Sequence, residues 1–302
     1  MSVVIPPGPS TIRELIQRAV AQLGQVTDRP HAEAERLIAS ALQVERTAVL
    51  AHPEWLLTSA QVDEFVDAVR RRASGTPLPY LLGYIEFCGL TFRVTPAVLI
   101  PRPETELLVE LAQARLGALR QGIVVDVGTG SGCIAVTLAI AEPRARIWAT
   151  DISAPALAVA RQNARDHGVG ERVRWLQADL LAPFAGPIGL IVSNPPYVAE
   201  AEWWDLPPSV KQEPRTALIS GPEGLNAIRP LLQQAATRLA PGGSLLMEIG
   251  EQQASAVTAL AQSAFDHSGR RVMRLQVYQD LAGKDRVLEV ALTRPANQTV
   301  LH

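Results

Sequence analysis

Apolar residues follow two regimes along the chain: a helical period at first, then the continuous or alternating runs of strands. Over residues 11–23, Ile12, Leu15, Ile16, Ala19 and Leu23 recur every three or four positions, which places them on one side of a helix. Thr11 and Glu14 stand three apart at its start, the spacing of a capping box. Helical spacing returns over 32–42, 47–51 and 59–72, where Val62, Phe65, Val66 and Val69 make one stripe. These stripes predict the core of a small helical bundle. Gly75-Thr76-Pro77-Leu78-Pro79 then breaks the helical run. Beyond it, Tyr84–Phe87 and 91–94 alternate, and a hairpin turning near Gly89 is expected.

After Pro101-Arg102-Pro103-Glu104 a helix is predicted through residue 119. Strands are predicted at Ile123–Val127, 146–150, 173–178, 188–192, 244–249, 272–278 and 286–292. Helices fall between them, among them Cys133–Ala141 and 225–239, and Pro241-Gly242-Gly243 reads as a turn. Such alternation implies an α/β fold, a mainly parallel sheet with helices on both faces. The predicted organisation is a helical domain at 1–82, a hairpin linker at 83–96, a sheet domain at 97–295 and a tail at 296–302.

In an open α/β sheet, ligands bind outside the carboxyl ends of the strands. The run 188–192 ends in Ser193-Asn194-Pro195-Pro196-Tyr197. Neither proline has an N–H, so the local main chain offers carbonyl acceptors, and Asn194 adds its side-chain oxygen. Acceptors converging on one point suit a planar NH2 group, with Tyr197 placed to lie against its flat face. That group is a carboxamide or the exocyclic amine of a base. Positioning it against an electrophile is the main gain such a turn can offer, and no general base is required. No acid or nucleophilic dyad is read beside the turn.

Gly128-Thr129-Gly130-Ser131-Gly132 follows the first sheet strand directly and opens the apolar helix Cys133–Ala141. A glycine-rich strand-to-helix turn admits a ligand close to the backbone and aims N–H groups at it. It fits a dinucleotide fold, a phosphate loop or a nucleoside-cofactor methyltransferase; the Lys-Ser/Thr ending of a triphosphatase loop is missing. The second strand ends at Asp151, placed to accept from ribose hydroxyls. The third ends at Asp179 and Leu180, which could bracket an adenine, the acid toward its amine and the leucine toward its face.

This order of glycine turn, Asp151, Asp179 and Asn194-Pro195-Pro196-Tyr197 resembles class I S-adenosylmethionine-dependent N-methyltransferases. More narrowly, the segments 99–106, 194–197, Glu213-Pro214, 221–225, 247–250 and 280–286 resemble the protein-(glutamine-N5) methyltransferases that act on bacterial peptide-chain release factors. The resemblance implies a seven-stranded, Rossmann-like sheet with its last strand antiparallel. It implies S-adenosyl-L-methionine as cofactor and S-adenosyl-L-homocysteine as product. Gly128, Thr129, Gly130, Ser131 and Gly132 would bind the methionine and ribose side, Asp151 the ribose hydroxyls, and Asp179 and Leu180 the adenine, with Asn194 also at the cofactor. Some members carry a bulky aromatic where this chain has Leu180, which leaves apolar contact there. Asn194, Pro195, Pro196 and Tyr197 would hold the substrate glutamine, with Asn194, Pro195 and Tyr197 counted as catalytic. Release factors 1 and 2 are the implied partners, through the glutamine of their Gly-Gly-Gln motif, and the helical domain is expected to recognise them. Two alternatives stay open: a glutamine methyltransferase of a ribosomal protein, and a DNA or RNA exocyclic-amine methyltransferase. Trp203 and Trp204 have no counterpart in the resemblance and could pack a surface loop or wall a substrate channel.

Charge bears on that choice. The 302 residues carry a net charge of −2, and the pI is near 6.2, which disfavours a large nucleic-acid footprint. The one basic run, Arg70-Arg71-Arg72, ends a predicted helix, where cations complement the dipole. Two cysteines, Cys88 and Cys133, make no disulfide framework, and neither they nor the five histidines have metal-ligand spacing. No apolar run reaches the ~18 residues of a membrane span, and the first residues lack the pattern of a signal peptide. A monomer in the reducing cytoplasm, with no direct nucleic-acid or membrane binding and no metal, is expected.

Overall fold

The computed structural model describes residues 10–117 and 122–294. The expected tail at 296–302, the predicted helix end at residue 119 and the segment read for a signal peptide lie outside the described residues.

Two compact units are present. The first runs to Tyr84 and includes Pro207–Gln212. Its helices are α1 (Ile12–Leu23), α2 (Pro30–Leu42), α3 (Arg46–Ala51), α4 (Ser59–Ala73) and α5 (Leu78–Leu82). Thr11 and Glu14 form the capping box anticipated at the start of α1, and Thr58 with Gln61 forms a second at α4. Ile12, Leu15, Leu23, Leu37, Ile38, Val62, Phe65 and Val69 close into one buried cluster. Each large side chain there contributes roughly 1.5–3 kcal/mol by leaving water. Two residues of the basic run are held in ion pairs: Arg72 Nε lies 2.6 Å from Glu33 Oε2 in a largely buried pair, and Arg70 pairs with Asp67. The short α5 departs from the reading of 75–79 as a breaker. Pro79 sits in its first turn, where the missing N–H would have no helical partner.

The second unit begins at Ile85 and resumes at Glu213 after Leu206. The hairpin is β1 (Tyr84–Phe87) and β2 (Leu90–Arg93), turning through Cys88 and Gly89, both at positive φ. Phe87 and Phe92 are fully buried in the sheet core, so the hairpin belongs to that core. Then follow α6 (Thr105–Leu116), β3 (Ile123–Val127), α7 (Cys133–Ala141), β4 (Arg146–Asp151), α8 (Ala154–Asp166), β5 (Val173–Gln177) and β6 (Ile188–Ser193). The chain ends with α9 (Ile228–Arg238), β7 (Leu239–Glu248), α10 (Ala254–His267), β8 (Val272–Gln279) and β9 (Asp285–Leu292).

Seven strands form one sheet in the order β5-β4-β3-β6-β7-β9-β8, parallel from β5 to β7, with β9 antiparallel to both its neighbours. This is the expected class I methyltransferase architecture. Neighbouring residues of β3 serve opposite faces: Val124 joins the core beneath α6 and α7, Val125 the core beneath α9 and α10. The helix α7 is apolar all round because it is buried on nearly every side.

Two local expectations are corrected. Pro241-Gly242-Gly243 is no turn before a strand but an irregularity inside β7, where pairing jumps from Ile188↔Leu239 to Leu190↔Ser244. The helix expected from Leu225 begins at Ile228, because 218–226 is tied down beforehand: Ser220 N donates to the Val198 carbonyl and Asn226 N to the Ser220 carbonyl.

Candidate active site

Strand order reverses at β3, whose neighbours are β4 and β6, and there a crevice opens at the carboxyl ends. Register sets its floor. Val127 pairs with Thr150 and with Ser193, and Asp151 pairs with Gln177. Gly128, Asp151, Asp179 and Asn194 therefore emerge along one edge of the sheet. A single cavity of about 240 Å³ is lined there by Gly128 to Ser131, Asp151, Asp179, Leu180, Asn194 and Pro196. Gly132, Pro195 and Tyr197, expected at the site, do not line it.

Their roles are different. A Cβ on Gly132 would stand 2.9 Å from the Ala160 Cβ, so this glycine lets α7 and α8 approach closely. Pro195 is buried. Tyr197 is largely buried with its hydroxyl 3.2 Å from Glu248 Oε1, and its main-chain carbonyl accepts from Gln253 Nε2 at 2.9 Å. Burial, and next the Glu248 carboxylate, push the Tyr197 phenol above its ordinary pKa.

The glycine turn is held from below and from the side. Asp126, fully buried in β3, accepts at Oδ2 from Thr129 Oγ1 (2.6 Å) and from the Ala135 N–H (3.2 Å). One carboxylate thus joins the turn to the first residues of α7. Asp151 accepts from the Gly130 N–H and the Ser153 N–H, each at 2.8 Å, while Ser153 caps α8. Leu180 adopts φ 50, rare outside glycine, and its carbonyl accepts from Thr150 Oγ1 at 3.1 Å. Backbone strain of this kind, held by surrounding bonds, is a recurrent feature of ligand sites.

Asp126 also links the turn to pH. Burial pushes its carboxyl up to about 7, against the bonds from Thr129 and Ala135, with Asp151 adding repulsion. A group whose folded pKa is raised stabilises fully below its unfolded pKa of ~3.9, and that contribution is lost as pH rises through about 7. Asp126→Asn keeps an oxygen for both donors but cannot ionise. Thermal denaturation without ligand should show wild-type stability falling relative to this variant between about pH 4 and 7, by a few kcal/mol in total. A gap that stays constant over that window would contradict the assignment.

The acceptor side was only partly foreseen. Asn194 Nδ2 donates to Thr105 Oγ1 (3.1 Å), and Thr105 Oγ1 donates to Glu248 Oε2 (2.7 Å). Glu248 is 1% exposed and its pKa is raised by burial, which the bonds from Thr105 and Tyr197 oppose. An acid does stand beside the turn, contrary to the reading of the sequence. The signal available for it was a carboxylate in the otherwise apolar run 245–249. Glu213 is also buried. It accepts from the Ile100 N–H at 2.9 Å and from the Arg102 guanidinium, fastening segment 99–102 where Leu99, Pro101 and Pro214 line the cavity. Trp203 packs against the Arg215 guanidinium, 5.2 Å from its ring centroid, and Trp204 is exposed; neither lines the cavity. Among the described residues no His, Cys, Asp or Glu group is arranged to hold a metal ion.

Comparison with known proteins decides the family. Residues 14–83 match the PrmC N-terminal domain family and residues 103–206 the methyltransferase small domain family. A release factor glutamine methyltransferase of Moorella thermoacetica is 46% identical over 91% of this chain and 96% of its own length. Another from Chlorobaculum tepidum is 41% identical over 92% and 96%. The chain belongs to the release factor glutamine methyltransferase family. It is thus a methyltransferase, and the sheet agrees with solved members of the wider class. The hMettl16 catalytic domain, in complex with a 3'UTR hairpin, aligns over 78% of this chain and 83% of its own at TM-score 0.55 and 18% identity. A T. thermophilus 16S rRNA methyltransferase in complex with AdoMet and guanosine aligns over 70% and 50% at TM-score 0.50 and 20% identity. At such identities the likeness concerns the fold alone. Within this family the segments 99–106 and Glu213-Pro214, far apart in sequence, are now seen as one wall, joined through the Glu213 carboxylate.

The cavity suits a nucleoside carrying a cationic sulfonium. Carboxylates of Asp151 and Asp179 stand along it, Ile134, Ile152 and Leu180 give apolar wall, and a Cβ on Gly128 or Gly130 would meet nothing within 4 Å, so the backbone there is open to a ligand. No described helix is long and apolar enough to cross a membrane.

Proposed function

We propose that the protein transfers the methyl group of S-adenosyl-L-methionine to the side-chain amide N5 of the glutamine in the Gly-Gly-Gln motif of peptide-chain release factors, in support of translation termination. One observation carries the chemistry: a single cavity joins the glycine turn, Asp151 and Leu180 to Asn194 and Pro196. The cofactor supplies an electrophilic methyl on a sulfonium. Gly128 to Ser131 cradle its methionine and ribose side, Asp151 accepts from the ribose hydroxyls, and Asp179 with Leu180 receives the adenine.

Asn194 has its NH2 on Thr105, which leaves Oδ1 to accept from the glutamine amide. Pro196 bounds the same space, and Tyr197, tied through its hydroxyl and its carbonyl, keeps the turn in shape. With the amide nitrogen held in line, the reaction gains chiefly from orientation. The proton can leave after the bond to carbon forms, so no general base is required. The helical unit is the natural reader of the protein substrate, because a glutamine side chain alone offers little to discriminate. A cytoplasmic location goes with this reading.

The test is incubation with methyl-labelled cofactor and separately purified release factor, ribosomal protein and DNA, followed by mass spectrometry. Label on the release-factor glutamine is expected; label on nucleic acid alone would refute the reading. In the same system Asp151→Ala should weaken cofactor binding by calorimetry about tenfold or more, the cost of a lost hydrogen bond to a charged group.

A further inference from the structure

An asparagine can serve as an acceptor only if its oxygen, and not its NH2, faces the ligand, and the side chain by itself has little preference between the two. We propose that Thr105 is the positioning residue that sets the Asn194 amide, through a hydroxyl whose proton is committed to Glu248. The inference deepens the glutamine-methylation reading and rests on it.

A threonine hydroxyl has one proton to give and lone pairs with which to accept. Thr105 Oγ1 lies 2.7 Å from Glu248 Oε2 and 3.1 Å from Asn194 Nδ2. In its ionised form, which burial opposes and the bonds from Thr105 and Tyr197 and the Arg286 charge favour, Glu248 takes the proton as the stronger acceptor. Only a lone pair is then left toward Asn194, and a lone pair can be met only by the NH2 end. The amide oxygen is therefore turned to the cavity, which both Thr105 and Asn194 line.

If that proton were free to turn toward Asn194, it would equally stabilise the flipped amide, which presents two N–H donors to a substrate that also donates. Water has little access to scramble the arrangement, since Thr105 is 2% and Glu248 1% exposed. The second carboxylate oxygen of Glu248 receives the Tyr197 hydroxyl at 3.2 Å, so one buried acid orients both polar ends of the turn. The three parts come from α6, from β7 and from the segment after β6. Neither Thr105 nor Glu248 needs to touch the substrate amide to do this.

The test uses the full-length protein with a purified release factor. Thr105→Val keeps the side-chain shape and deletes the hydroxyl. It should lower kcat by about 100-fold, the scale of a misplaced reacting group, while KM for the factor and the Kd for S-adenosylmethionine stay within about threefold. Thr105→Ser, which keeps the hydroxyl, should recover most of the lost rate. Wild-type turnover in Thr105→Val would overturn the proposal. So would a Thr105→Ser variant as slow as Thr105→Val, which would mean that the methyl packing and not the hydroxyl matters, or a loss of cofactor affinity in step with kcat. Failure of the functional reading is seen separately, as wild-type protein that leaves the factor's glutamine unlabelled.

Discussion

Asn194→Ala should lower the rate of methyl transfer by a factor of about 10² to 10³, with cofactor affinity changed by less than about threefold. The size follows from removing one fixed acceptor aimed at a reacting group, on the order of 2.7–4 kcal/mol by analogy with donors at oxyanion sites. The separation follows from geometry. The end of the cavity proposed to take the cofactor is formed by the glycine turn and Asp151, which bond to each other through the Gly130 N–H and to Asp126 and Ser153, and none of these bonds reaches Asn194. What Asn194 does touch is Thr105. Truncation leaves the Thr105 lone pair without its donor, a stability cost of about 1–3 kcal/mol, so thermal denaturation should accompany the kinetics to show that the variant is folded. Single-turnover measurement with saturating cofactor reads the chemical step alone. Turnover like that of wild type would remove Asn194 from the chemistry.

Much of the sheet could be read ahead because several of its strands are β-branched or aliphatic runs, and the central ones are cut off by residues of a different kind. Ile123–Val127 stops at a glycine, 146–150 at Asp151 and 188–192 at the Ser-Asn-Pro-Pro turn, and Gly128, Asp151, Asn194 and Pro196 at these stops line the cavity. The hairpin was readable for a similar reason, since Gly89 supplies the positive φ that its turn requires. What escaped were features whose meaning depends on a partner far along the chain. Thr105 and Glu248 are 143 positions apart, and nothing local distinguishes Thr105 from the other polar residues of its segment. Glu213 joins Ile100 and Arg102 across more than a hundred positions in the same way. Pro241-Gly242-Gly243 misled in the opposite sense. Its local chemistry is that of a turn, yet pairing with β6 on both sides of it, Ile188↔Leu239 and Leu190↔Ser244, carries β7 through the irregularity. Local rules find where a strand stops; buried polar pairs appear only once the strands are side by side.

Gly224→Ala should be strongly damaging although Gly224 lies outside the cavity wall, and it isolates how the Asn-Pro-Pro-Tyr turn is braced. Gly224 has φ 71, where an added Cβ costs roughly 1–2 kcal/mol. That Cβ would also stand 2.2 Å from the Tyr197 carbonyl oxygen and 2.8 Å from Gln253 Nε2. Neither can yield freely. The Tyr197 carbonyl is already bonded to Gln253, and Gln253 is held in turn by the Gly250 N–H at 3.0 Å. Relief must come from the backbone of residue 197, which carries Pro196 and Asn194 with it. Overpacking of this kind adds about 1–3 kcal/mol to the strain. Gly283→Ala is the control, because it has φ 75 in the β8–β9 turn but nothing within 4 Å of a Cβ. Both variants bear the backbone strain and only one bears the overlap. Gly224→Ala should therefore melt well below Gly283→Ala and lose at least about tenfold in kcat, while Gly283→Ala turns over as wild type does. Equal melting and equal rates in the two would mean that the 218–226 segment does not brace the turn at all.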